Sequence, residues 1–270
     1  MPWTLLILIA LLLLYLALIA PGARRPSDAH LRGWLYAHRG LHDGNVNVPE
    51  NSMAAFAKAL EGGYGMELDV QLTRDHQLVV HHDGNLKRVC GVDRLICETD
   101  FADLPLLPDG SRIPLLSEVL ELVKGRAPLI VEIKRNGGAA RNAAAAWQLL
   151  KAYSGPYCVE SFDPAALRYF RRHAPGIVRG QLAYGGKWIP EDMNYPTYVA
   201  LKHLLVNVIG RPHFVAYSVP TDHVPAMWLM KHLFRLPLAG WTIRSQEVLD
   251  YARAEGYAYP IFEKFIPNTK

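Results

Sequence analysis

The chain has 270 residues, 29 Lys and Arg against 25 Asp and Glu, and a formal net charge of +4. That length suits one domain of ordinary size with a short extension. The weak, scattered positive charge lacks the basic stripe of a nucleic-acid binder, so no nucleic-acid partner is expected, and the absence of low-complexity tracts or a short repeat excludes disordered and solenoid classes.

The N-terminus is the most hydrophobic part of the chain, and Leu5 to Ala20 carries no charge. Such a run approaches the ~20 residues that span a bilayer. Met1 to Thr4 lacks the basic start of a secretory signal, and Ala20-Pro21-Gly22-Ala23 is a poor cleavage site. Residues 1–20 are therefore expected to form a single transmembrane helix, residues 21–33 a linker ended by Pro21, Gly22 and Pro26, and residues 34–270 the working domain. Arg24, Arg25 and Arg32 follow the span with nothing basic but the amino terminus before it. The positive-inside rule then places the domain on the cytoplasmic side of the membrane. Cys90, Cys97 and Cys158 fit free thiols in a reducing compartment, their number being odd and their spacing unlike a zinc site; only the compartment argues against a Cys90–Cys97 bridge.

Beyond Gly33, short apolar runs alternate with helical patterns. The strands are predicted at Trp34–His38, Gly65–Val70, Leu129–Lys134, Tyr157–Ser161, Ile177–Leu182, His213–Tyr217 and Leu238–Thr242, with a weak eighth near Tyr257–Pro260. Helices are predicted at Ser52–Leu60, Leu116–Val123, Ala139–Ala152, Pro164–His173, Val224–Phe234 and Gln246–Glu255. This alternation argues for βαβ units. Eight strands without the G-x-G-x-x-G fingerprint fit a TIM (β/α)8 barrel better than an open dinucleotide-binding sheet. Lys187–Pro212, with Trp188, Tyr195, Tyr198 and the apolar run Leu201–Ile209, is expected to be a long connection containing an extended helix packed on the barrel, the alternative being a segment that faces the membrane near the mouth and favours a lipid-derived substrate.

Working side chains in such a barrel sit at the C-terminal ends of the strands. Strand period two puts Glu67 and Asp69 on one face, and Glu132 and Lys134 likewise. Three carboxylates in one mouth are costly to bury unpaired. A divalent cation with hard oxygen ligands, Mg²⁺ or Ca²⁺, resolves that cost, and Lys134 beside it suits an anionic substrate.

His38-Arg39-Gly40, Pro49-Glu50-Asn51-Ser52, Glu67-Leu68-Asp69-Val70, His82-Asp83 and Glu132-Ile133-Lys134, in that order, resemble the glycerophosphodiester phosphodiesterase family. Weaker echoes follow at Ser161-Phe162, Gly180-Gln181-Leu182 and Gly240-Trp241-Thr242. The resemblance implies a barrel binding one divalent metal through Glu67, Asp69 and Glu132. It implies His38 and His82 as general base and general acid, with Arg39 and Lys134 on the phosphoryl oxygens and Trp241 on the pocket wall. The implied reaction is hydrolysis of a glycerophosphodiester to glycerol 3-phosphate and an alcohol. In that family the substrate's own glycerol hydroxyl attacks phosphorus, and water opens the cyclic phosphate. The alternatives are a lysophospholipase D using the same centre and, from another class, a non-catalytic barrel that binds phosphodiesters.

Only one of His81 and His82 can face the mouth, and the family pattern selects His82. Asn51 or Ser52 suits a helix N-cap and Glu50 a helix start, so Glu50 and Asn51 are expected behind the ligands rather than certainly among them. Asp43 to Val48 opens like a calcium loop but lacks its sixth-position glycine. His203, His213, His223 and His232 fit no ligand spacing. The terminal Gly256 to Glu263 departs from the family's closing strand, which leaves the eighth strand as the weakest part of the prediction.

Overall fold

The computed structural model describes residues 3–185, 193–219 and 224–268. Trp188 and His223, singled out above, lie outside these residues. The strands are β1 (Tyr36–Ala37), β2 (Gly65–Leu72), β3 (Leu78–Val80), β4 (Leu129–Ile133), β5 (Tyr157–Ser161), β6 (Arg179–Ala183), β7 (Phe214–Ser218), β8 (Leu238–Ile243) and β9 (Tyr259–Phe262). Eight of them close as a parallel cylinder, because β1 pairs with both β2 and β9, while β3 folds back antiparallel on β2. The expected barrel is present.

The helices are α1 (Trp3–Ile19), α2 (Met53–Glu61), α3 (Lys87–Cys90), α4 (Leu116–Val123), α5 (Ala139–Leu150), α6 (Pro164–His173), α7 (Tyr195–Lys202), α8 (Asn207–Gly210), α9 (Pro225–His232) and α10 (Gln246–Ala254). Local chemistry fixes several of their starts. Ser52 caps α2 by accepting from Ala55 N, and Asp163 caps α6 from Ala165 N with Pro164 in the first turn; such caps contribute about 1 kcal/mol each.

Two layers of side chains follow from strand alternation. Met66, Leu68, Val70, Val131 and Val159 face outward into the shell that packs the helices. Tyr36, Ile130, Cys158, Phe214, Ala239, Tyr259 and Ile261 fill the barrel interior, and Leu31 packs into the same cluster. Gly180 belongs here for a steric reason: a Cβ on it would lie 2.1 Å from Phe214 Cζ. The three cysteines are unbridged.

Four expectations need correction. The first strand keeps only Tyr36–Ala37 of the predicted Trp34–His38, since Arg39 (φ 57°) and Gly40 (φ 76°) turn the chain out of the sheet. The closing strand is Tyr259–Phe262 rather than Tyr257–Pro260, because Gly256 N and Tyr257 N are still bonded back to Arg253 O and Ala252 O. The extended helix expected in Lys187–Pro212 is two short ones, α7 and α8, separated where Leu204 takes a φ of 57°.

The fourth concerns the N-terminal transmembrane helix: among the described residues no helix is long and apolar enough to cross a membrane. Helix α1 has 17 residues, about 26 Å at the usual rise, against a hydrocarbon core of ~30 Å. Its last turn is also committed to the barrel. Ile19 is fully buried, Asn207 donates to Ile19 O, and Arg211 donates to Ala17 O and Ala20 O. Every side chain from Trp3 to Leu14 is nonetheless exposed.

Candidate active site

Inside the mouth, β2 aims Glu67 and Asp69 at the axis, β4 aims Glu132, and β5 adds Glu160 in register with Glu132. Glu67, Asp69 and Glu132 each offer an oxygen, and these atoms lie within 4.8 Å of one another. Asp69 is fully buried yet well supplied: Asn51 Nδ2 donates at 2.8 Å and Lys134 Nζ at 3.3 Å, with Arg39 Nε at 3.6 Å. Burial opposes its ionisation, but Lys134, His82, Arg39 and the Asn51 bond outweigh that and hold the carboxyl well below its usual range. Lys134 also donates to Glu132 at 2.8 Å.

Glu67 and Glu160 have the opposite balance. Burial, then repulsion from Asp69, Glu132 and Glu160, pushes Glu67 well above the usual carboxylate range, and burial with repulsion from Glu132 and Asp69 does the same to Glu160. One oxygen of each, Glu67 Oε1 and Glu160 Oε2, is buried without a hydrogen-bond partner. Buried acceptor oxygens beside mutually repelling carboxylates form a setting that a bound cation stabilises. The donor set, hard oxygens from three strand-borne acids, fits a divalent Mg²⁺ or Ca²⁺.

His38 stands just past β1. Its Nδ1 lies 2.7 Å from Glu263 Oε2, and its Nε2 lies 3.8 Å from Glu67 Oε2. Burial, aided by the Arg39 charge and opposed by Glu263, brings the imidazole down to about 4. Burial disfavours the Glu263 carboxylate too, but His38 and Arg244 Nε, at 2.7 Å, outweigh it and keep the group well below its usual range. An ionised Glu263 fixes the proton of the neutral ring on Nδ1. The Nε2 lone pair is left facing the acids.

His82, at the end of the β3 segment, faces the cavity with Nδ1 2.6 Å from Asp83 Oδ1, whereas His81 is buried and turns Nδ1 to Asp83 O. The adjacent pair divides as expected. Burial lowers the His81 imidazole.

Arg39 takes a left-handed backbone, as does Asn51 at φ 56°, a conformation costing about 1–2 kcal/mol for a side-chain-bearing residue. The return is visible: Arg39 N donates to Glu67 Oε2, and Asn51 N to Arg39 O. Glu50 binds Arg39 Nη1 at 2.7 Å and both terminal nitrogens of Arg88 at 2.6 and 2.8 Å. Burial opposes it, but Arg88 and Arg39 bring Glu50 down to about 2. Glu50 and Asn51 therefore stand behind the acids, and Ser52 is the N-cap.

Trp241 forms the opposite wall with Phe162 and Tyr184, its ring edge-on to both at centroid distances of 5.7 and 6.1 Å. Its indole Nε1 is buried without a partner. These walls enclose one cavity of about 1150 Å³ that contains His38, His82, Glu67, Glu132 and Lys134.

The predicted catalytic, phosphate-binding and metal-ligating residues, with Glu50 and Asn51 behind them, thus gather at one mouth. Sequence reasoning missed Glu160, Glu263 and Arg88. Glu160 could have been found from its place on the inward face of Tyr157–Ser161. Glu263 follows directly on the closing strand, where a working carboxylate belongs, but the departure from the family pattern obscured it.

A parallel eight-stranded barrel with histidines, cations and clustered acids at its C-terminal mouth defines a class of phosphoric diester hydrolases. Residues 38–258 match the glycerophosphoryl diester phosphodiesterase family, and the chain belongs to that family. A glycerophosphodiester phosphodiesterase of Bacillus altitudinis is 40% identical over 69% of this chain and 72% of its own. A lysophospholipase D of Homo sapiens is 35% identical over 82% of this chain and 66% of its own. Among solved structures, an Oleispira antarctica phosphodiesterase in complex with sn-glycerol-3-phosphate superposes with a TM-score of 0.69 at 24% identity, covering 86% of this chain and 93% of that one. A glycerophosphodiester phosphodiesterase from Thermotoga maritima gives 0.63 at 27% identity, covering 84% and 93%.

Proposed function

We propose that the chain hydrolyses glycerophosphodiesters to glycerol 3-phosphate and an alcohol, with a divalent cation held by Glu67, Asp69 and Glu132. The observation that carries this reading is the pair of unpartnered buried oxygens on Glu67 and Glu160 amid mutually repelling acids, with the second Glu67 oxygen 3.8 Å from His38 Nε2. When bound, the cation supplies Lewis-acid stabilisation of charge developing on the phosphoryl oxygens.

His38 acts as general base. With Nδ1–H tied to Glu263, Nε2 takes the proton of the glycerol 2-hydroxyl as that oxygen attacks phosphorus. The P–O bond to the alcohol breaks, and His82, steadied by Asp83, delivers a proton to the departing oxygen. Water then opens the cyclic phosphate with the two histidines in exchanged roles. Arg39 and Lys134 hold the phosphoryl oxygens. Trp241 packs against the substrate on the far wall. Keeping the full set of acids and histidines weighs against a non-catalytic barrel.

A lysophospholipid retains the free 2-hydroxyl that this chemistry needs, and a cavity of about 1150 Å³ favours it as a second substrate. Helix α1, apolar on all sides and exposed from Trp3 to Leu14, supports lodging in one leaflet of a membrane without crossing it. Flotation of the full chain with phosphatidylcholine vesicles tests this. Activity is tested by release of glycerol 3-phosphate from glycerophosphocholine with Mg²⁺, Ca²⁺ or EDTA. Metal-dependent release, lost in His38→Ala, supports the reading; equal rates in EDTA overturn the metal's role.

A further inference from the structure

Arg88 is the charged residue of the mouth to which the chemistry above gives no task. Its Nε donates to Asp83 Oδ2 at 2.6 Å, and its two terminal nitrogens donate to Glu50 at 2.6 and 2.8 Å. The other oxygen of Asp83 lies 2.6 Å from His82 Nδ1, and Glu50 Oε1 also accepts from Arg39. A continuous chain therefore runs from His82 through Asp83, Arg88 and Glu50 to Arg39. Local packing places its middle member. Leu86 and Val89, which bracket Arg88, are buried in a satellite cluster with Val79, Ile96, Leu107 and Ile113, so that Arg88 is turned to the cavity wall. Val79 lies on β3 and His82 follows that strand, so one packed unit presents both Arg88 and the general acid. Burial disfavours the Asp83 carboxylate, but the bonds from His82 and Arg88 outweigh it and hold the group well below its usual range.

Resting on the function proposed above, we infer that Arg88 is a positioning residue for the leaving-group proton transfer, holding Asp83 so that His82 presents a protonated Nε2 to the departing oxygen. A planar guanidinium suits the task, because its fork holds two carboxylates at a set separation and angle. An untethered Asp83 could turn either oxygen, or neither, to His82. With Oδ2 taken by Arg88, Oδ1 is the oxygen left to accept from Nδ1–H, and the transferable proton stands on Nε2. The grip on Glu50 fixes that proton relative to Arg39, which holds the phosphoryl group. Each of the three guanidinium nitrogens already serves a carboxylate, so Arg88 acts through its neighbours rather than as a further cation on the phosphate. In the step itself the P–O bond to the alcohol breaks and its electron pair stays on the departing oxygen. That oxygen then takes the proton from His82 Nε2.

The test uses the leaving group as its probe. Single-turnover release of the alcohol by the full chain, saturating in enzyme, isolates the step in which that oxygen departs. Two substrates are compared: glycerophosphocholine, whose alkoxide needs a proton to leave, and the 4-nitrophenyl ester of glycerol 3-phosphate, whose nitrophenolate leaves as the anion. Arg88→Met is expected to slow release from glycerophosphocholine by about 10 to 100-fold, the range for groups that orient a working side chain, and to leave the nitrophenyl ester nearly untouched. Arg39 keeps Glu50 and Asp69 as partners in that variant, so the hold on phosphate is retained. Asp83→Asn should give the same signature, and adding Arg88→Met to it should cost nothing further, because the guanidinium works through that carboxylate. Arg88→Gln repeats the comparison should the methionine variant fold poorly. An equal loss on both esters, or losses at Arg88 and Asp83 that add, overturns the positioning role while leaving the parent activity intact. Failure of the wild-type protein on both esters with either metal overturns the parent reading, and this inference with it.

Discussion

The two sides of the barrel mouth are built from opposite materials. The side formed by β1, β2 and β4 carries His38, Arg39, Glu67, Asp69, Glu132 and Lys134, each held by at least one hydrogen bond or ion pair. The side formed by β5 to β8 and α7 offers Phe162, Leu182, Tyr184, Leu201 and Trp241, held by packing. The charged side is over-determined, so altering one group strands another in a buried setting. The apolar side is a shape, and its residues act through volume. Removing a charge should therefore cost activity, and changing a volume should cost selectivity or stability.

The largest expected effect is at the acids. Glu67→Gln or Asp69→Asn should lower kcat/KM by about 10³-fold or more, the several kcal/mol a Lewis acid supplies, and should weaken Mg²⁺ or Ca²⁺ binding in calorimetry. Retention of activity with metal binding lost would detach the acids from the chemistry. His38→Ala comes next, with a loss of about 10² to 10⁴-fold in kcat, the range for a general base; metal binding measured alongside should be kept, separating the base from the ligands.

Glu263→Gln sharpens the comparison further, because this carboxylate holds His38 Nδ1, with Arg244 and His42 as its other partners. A loss of about 10 to 100-fold, typical of groups that orient a working side chain, should fall on kcat more than on KM. An unchanged kcat would show that His38 needs no fixed tautomer.

On the apolar side, Gly180→Ala should leave the metal site intact but drive a methyl into Phe214. Thermal or urea unfolding should register about 1–3 kcal/mol of lost stability.

The smallest effect is electrostatic. His213, just before β7, is brought down to about 3 by burial and by the neighbouring Arg179. A depressed imidazole contributes stability that is present above its ordinary value near 6.5 and is lost as pH falls toward about 3, since the unfolded chain binds the proton first. His213→Gln should flatten the fall in melting temperature between pH 6.5 and 4. An unchanged slope would assign acid sensitivity to other groups.

The contrast also explains which features were legible in the sequence. The charged side is written in short strings, because alternation along a strand makes Glu67 and Asp69 neighbours on one face whatever the rest of the chain does. The apolar side comes from segments far apart, and its helix α7 lies in a stretch that reads only as generic hydrophobic connection. Glu263 and Glu160 fall between these cases. Glu160 sits on an anticipated strand and Glu263 just past one whose bounds shifted, and their partners become visible only in the folded barrel: Glu263 meets His38 across 225 positions, and Glu160 meets Glu132 when β5 pairs beside β4.

The sequence by itself determined the barrel, the acids, the two histidines and the choice of family, because strand period and strand-end position are local properties of the chain. Only the tertiary structure decided that Asn51 serves Asp69 while Ser52 caps the helix, and that Glu263 holds His38. It also decided that the last turn of the N-terminal helix belongs to the barrel. Those outcomes depend on which distant groups closure of the cylinder brings within hydrogen-bonding reach, and no period in the sequence encodes that distance.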